Sequence, residues 1–149
     1  MFNDCKSLKK INLINFDTSN VTDMSYMFNG CSLLTRLDLS GFDTSNVRNM
    51  RNMFALCKSL TELDLSSFNT SNVTNMAEMF FWCIELIKLD LNGFETSEVA
   101  NMYKMFAWCK KLTYLDLSNF NMRNTDEMSS RHMFLGCDSL KNTKLKILR

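Results

Sequence analysis

One period constrains this chain more than any other feature. Its six cysteines, Cys5, Cys31, Cys57, Cys83, Cys109 and Cys137, are separated by 26, 26, 26, 26 and 28 residues. Met1, Met27, Met53, Met79, Met105 and Met133 keep the same step, and each is followed by Phe. The words between them recur almost letter for letter: FDTSNVTDMSYMFNGC from Phe16, FDTSNVRNMRNMFALC from Phe42 and FNTSNVTNMAEMFFWC from Phe68. Later copies drift, with Met122 in place of Thr, Thr125 in place of Val, and two extra residues within Ser129 to His132. A period of roughly 20–50 residues marks units that bury their apolar faces only by stacking on one another. Residues 1–149 are therefore expected to form a single array, with units starting near 1, 27, 53, 79, 105 and 133. Because Met1 falls where a methionine stands in every later unit, the array is expected to be a piece of a longer protein.

Each unit splits into two halves. In LTRLDLSGF, Leu37 and Leu39 alternate with Arg36 and Asp38, the period of a strand with one face buried. In the other half, Val47, Met50, Met53, Phe54 and Cys57 recur at steps of three and four, which predicts a short helix. Asp43, Thr44, Ser45 and Asn46 precede it as capping residues, and Gly30 and Gly136 stand where such helices would end. The expected fold is an α/β right-handed solenoid of about five and a half 26-residue units. A parallel sheet forms one face and short helices the other. Six turns at about 4.8 Å per strand give a body of roughly 25–30 Å.

The phrase FDTSNVTxMxxMFxxCxxLTxLDLS resembles the BspA-like leucine-rich repeats of bacterial surface proteins, including the mycoplasma lipoprotein-associated type. The likeness covers almost the whole chain, although Phe16, Phe42 and Phe68 stand where the common leucine-rich repeat has Asn or Cys. It implies an extracellular or cell-surface array used for adhesion or for binding a protein or other cell-surface macromolecule. It implies no catalytic residues and no cofactor.

The residues themselves point the same way. A formal charge of +1 gives no electrostatic case for nucleic acid. No run of about 18 apolar residues is present, so this segment has no span to insert in a membrane, and MFNDCKSLKK is not a signal peptide. Zinc ligands need close pairs such as C-x₂-C, which do not occur. The cysteines are instead expected to form a reduced column in the core. His132 is the single histidine and lies in the insertion, so no catalytic triad or H-E-x-x-H helix can be assembled. An enzyme is not expected.

Two columns of residues stand out as partner-binding candidates. The position before each Cys reads Asp4, Gly30, Leu56, Trp82, Trp108 and Gly136, so Leu56, Trp82 and Trp108 form an apolar ridge that stacking alone does not demand. Asp38, Asp64, Asp90 and Asp116 form an acid stripe on the solvent side of the sheet, suited to a cationic partner and, less well, to bridging calcium. A surface patch departing from the repeat favours binding, whereas uniform polarity favours a spacer that only holds other domains apart. The exposed Met1 and Phe2 end is expected to promote end-to-end self-association.

Overall fold

The computed structural model describes residues 1–144, the last three by their backbone pairing alone. Four short strands pair in chain order, all parallel: β1 (Glu62–Leu63), β2 (Lys88–Leu89), β3 (Tyr114–Asp116) and β4 (Asn142–Lys144). Glu62 lies beside Lys88, Lys88 beside Tyr114, and Tyr114 beside Asn142. These steps are the 26, 26 and 28 residues of the sequence period, so pairing register and repeat are one fact. The strands are short because only the L-x-L motif is extended. Leu63, Leu89 and Leu115 turn inward while Glu62, Lys88 and Tyr114 face solvent. In the first two units Leu13, Leu37 and Leu39 are buried in the same way, without a strand.

The second half of the unit overturns the helix expectation. Among the described residues the one α-helix is α1 (Glu127–Ser130), a single turn inside the lengthened fifth unit, with Asp126 as its N-cap. Elsewhere the apolar steps of three and four belong to a chain of tight turns. A helix would direct each N–H to the carbonyl four residues back. Here the N–H groups of Met50, Asn52, Phe54 and Leu56 instead reach the carbonyls of Asn75, Ala77, Met79 and Phe81 in the next unit, at 2.7 to 3.0 Å. The alternate N–H groups of Met53, Ala55 and Cys57 close turns onto Met50, Asn52 and Phe54, each at 3.2 Å. With Arg51 N–H donating to Asn49 Oδ1, every backbone donor from Met50 to Cys57 is thus satisfied without a helix, as burial requires. Asn52 and Leu56 take positive φ values of 55° and 60°, and their equivalents do the same in neighbouring units.

The residues expected to cap helices hold units together instead. The buried Thr44 hydroxyl donates to the Asn69 carbonyl (2.9 Å) and accepts from the Asn69 N–H (2.8 Å). Thr18, Thr70 and Thr96 repeat this pair with Asp43, Glu95 and Asn121. A third ladder joins Asp23, Asn49, Asn75 and Asn101 by parallel bridges. Between these ladders lies one continuous core. Its Leu, Val and Met side chains surround a column of stacked rings, in which Phe28, Phe54, Phe80 and Phe106 stand 5.6 to 5.9 Å apart.

Cys31, Cys57, Cys83 and Cys109 are buried and unbonded, as expected, while Cys5 and Cys137 are half-buried. Each buried thiol points back at the preceding unit: Cys57 Sγ donates to the Phe28 carbonyl at 3.2 Å, and Cys83 Sγ to that of Phe54 at 3.1 Å. Burial pushes the Cys57 thiol up to about 12 and that of Cys31 to about 11. The column therefore stays protonated and structural.

Candidate functional site

The ridge begins with the backbone. Asp4, Gly30, Leu56, Trp82, Trp108 and Gly136 all have positive φ, from 58° to 72°. In this left-handed conformation the N–H turns toward the neighbouring unit. Trp82 N–H meets the Ala107 carbonyl at 2.9 Å, and Gly30 N–H meets that of Ala55 at 2.8 Å. Left-handed backbone suits Gly and, less well, Asn and Asp, and costs other residues about 1–2 kcal/mol. The glycines at 30 and 136 are therefore the residues the turn prefers, not helix terminators. Leu56, Trp82 and Trp108 hold the same turn against its preference.

Packing explains part of their presence. A Cβ placed on Gly136 would lie 2.5 Å from Cε3 of Trp108, so the Trp108 ring already fills the space above the last glycine. The Trp82 and Trp108 rings stand 5.7 Å apart, tilted by 39°, and Phe81 meets Trp82 edge-on at 6.4 Å. Leu56, Phe81, Trp82 and Trp108 are all half-buried, so each keeps an accessible face. Cations lie over these rings: Lys58 Nζ is 5.5 Å from the Trp82 centroid, and Lys110 Nζ is 5.6 Å from that of Trp108. Lys104 Nζ lies 5.0 Å from the Tyr103 ring and 6.0 Å from that of Phe81.

The surface also departs from the repeat beside the ridge, at Phe81, the further aromatic beside Trp82, and at Ile84 and Ile87 outside the recurring columns. Phe81 stands where units on either side have Ala55 and Ala107; Ile84 replaces Lys58 and Lys110; Ile87 replaces Thr61 and Thr113. Ile84 is half-buried and Ile87 is exposed, as is Tyr114 in the next unit. The signal was in the sequence. A residue-by-residue comparison of the fourth unit with its neighbours exposes it at once.

The acid stripe is assembled as expected but has a local cause. Oδ1 of Asp38, Asp64, Asp90 and Asp116 accepts the N–H two residues on, from Ser40, Ser66, Asn92 and Ser118, at 2.9 to 3.0 Å. This turn closes the outward run of β1, β2 and β3 and its counterpart at Asp38. The Ser40 hydroxyl and N–H hold the Asp38 carboxyl below its ordinary range, and the N–H of Ser66 does so for Asp64. The turn gives aspartate a local role in this column. Among the described residues, no group of three or more His, Cys, Asp or Glu could hold a metal ion. No described helix is long and apolar enough to cross a membrane.

Comparison with known proteins places these features in a family. No curated protein matches the chain. Among solved structures, the fold is similar to that of a leucine-rich repeat protein from Bacteroides ovatus ATCC 8483, with a TM-score of 0.51 and 20% identity. The similarity covers 97% of this chain but 39% of that one, so the chain spans well under half the length of its structural relative. The family described as "Mycoplasma protein of unknown function, DUF285" matches residues 1–112 and 64–147. The family match spans nearly the whole chain and the structural likeness shows the fold, so the chain is a member of the DUF285 family with a leucine-rich-repeat fold.

Proposed function

We propose that the chain is a non-enzymatic interaction module. It is a solenoid of about five and a half 26-residue units, displayed at the cell surface and binding a macromolecular partner in an adhesive role. Leu56, Trp82 and Trp108 form the contact, extended by Phe81. One observation carries this reading: two tryptophans are held in a backbone conformation that glycine occupies at positions 30 and 136. Strain retained where a better residue is available points to use, because folding alone selects against it. Partly exposed Trp is also among the residues that dominate binding energy at interfaces. The cell-surface setting rests on the resemblance to BspA-like repeats.

The alternative is a spacer with no ligand of its own. The break in the repeat at Phe81, Ile84 and Ile87 speaks against it, since a spacer gains nothing from one apolar unit amid polar ones. The test is capture from host or cell-surface extracts by the wild-type chain and by the Trp82→Gly, Trp108→Gly double variant. A partner recovered by the wild type alone supports the assignment. Equal recovery by the two would remove it.

A further inference from the structure

We propose that the ridge takes an acidic peptide segment, one whose carboxylates flank an apolar side chain; this rests on the assignment of the ridge as the contact. The argument starts from the lysines. Among the described residues the ion pairs are Lys6–Asp4, Arg36–Glu62, Arg51–Glu78 and Lys111–Glu85. Lys58, Lys104 and Lys110 have no carboxylate of a described residue within 4.0 Å and lie over aromatic rings instead. A Lys stem covers apolar surface while its ammonium seeks solvent or an anion. Three such cations around Trp82 and Trp108 make the apolar ridge electropositive, and charge complementarity selects an acidic partner.

Geometry narrows the class. Lys58 and Lys110 stand two units apart, about 10 Å at strand spacing, which is the span of about three extended residues. A carboxylate can then meet each lysine while the side chain between them lies on the Trp82 and Trp108 rings. A nucleic-acid base inserted between two rings needs about 3.4 Å on either side. The Trp82 and Trp108 rings, 5.7 Å apart and tilted by 39°, leave no such slot. A lipid surface is also a poorer match, since the tryptophans are half-buried.

The test is selection from a random peptide display library on the folded protein, with the two tryptophans as fluorescence reporters. The selected sequences should be rich in Asp and Glu interleaved with apolar residues. Their binding should weaken at least tenfold in Lys58→Gln, Lys110→Gln, and should fall as salt rises. Trp82→Leu, Trp108→Leu copies the natural Leu56 and serves as a folded control that removes the rings. Peptides that need the tryptophans but carry no acidic bias would overturn this inference while leaving the ridge as the contact. Peptides indifferent to both pairs of substitutions would overturn the contact itself. No enrichment of any peptide, or tryptophan fluorescence that responds to phosphatidylserine vesicles or an oligonucleotide and not to selected peptides, would also overturn the acidic-peptide proposal.

Discussion

Replacing Thr70 by Val tests whether the threonine ladder holds the units together. Thr70 is 1% exposed, and its hydroxyl both donates to the Glu95 carbonyl and accepts from the Glu95 N–H, each at 2.9 Å. Valine has almost the same shape, so the change leaves no large cavity and removes only the two hydrogen bonds. Each is worth about 1 kcal/mol net, and a backbone group left unpaired in a buried place costs about 1–3 kcal/mol. Partial access of water to Glu95, whose own side chain is exposed, moderates the second figure. A loss of about 2–4 kcal/mol is expected, read as a lower urea midpoint at unchanged slope. Thr61→Val, at an exposed position, should change stability by no more than about 0.5 kcal/mol. A Thr70→Val loss as small as that of the control would refute the ladder as a source of cohesion.

Three further outcomes follow from the same geometry. At Leu56 the usual order should invert: Leu56→Gly should be more stable than Leu56→Ala by about 1 kcal/mol, because only glycine is free of the left-handed strain; equal urea midpoints would contradict it. The Trp82→Gly, Trp108→Gly variant should still unfold cooperatively, since relief of strain at two sites offsets part of the lost ring packing, and loss of the cooperative transition by circular dichroism would assign the rings to the core. The Cys57 thiol is raised by burial from an ordinary value of 9.0 to about 12, so the folded state keeps its proton where the unfolded state loses it. Its contribution to stability is therefore complete below about pH 9 and declines as pH rises toward 12, with thiol labelling below pH 9 limited by unfolding; rapid labelling of the folded chain at pH 8 would contradict this.

Much of the fold was legible because repetition fixes both register and burial. Leu63, Leu89 and Leu115 could be set side by side from the period alone, and so could Cys57, Cys83 and Cys109. The helical spacing misleads for a physical reason. Apolar residues at Val47, Met50, Met53, Phe54 and Cys57 mark a buried face, but that pattern is shared by a helix and by turns laid on a neighbouring unit. What separates the two is the destination of the N–H groups: four residues back in one case, the next unit's carbonyls in the other. Periodicity does not report that choice. Gly30 and Gly136 carried the missing signal, since they mark a left-handed position in every unit, yet a glycine before a turn also suits a helix end. The aspartates of the sheet were conspicuous for the opposite reason. Their poor strand propensity reads as a hint of function, and the turn made by Asp64 with Ser66 gives them a local structural role as well.

The proposed contact at Trp82 and Trp108 can be watched directly in solution. Because they are the chain's only two tryptophans, quenching of their fluorescence by acrylamide reports on that surface and on nothing else. Half-buried rings should be quenched measurably in the free protein. Quenching should fall severalfold when a partner captured by the wild-type chain is added to saturation, and excess unlabelled competitor should restore it. Unchanged quenching in a saturated complex would place the partner elsewhere and contradict the account.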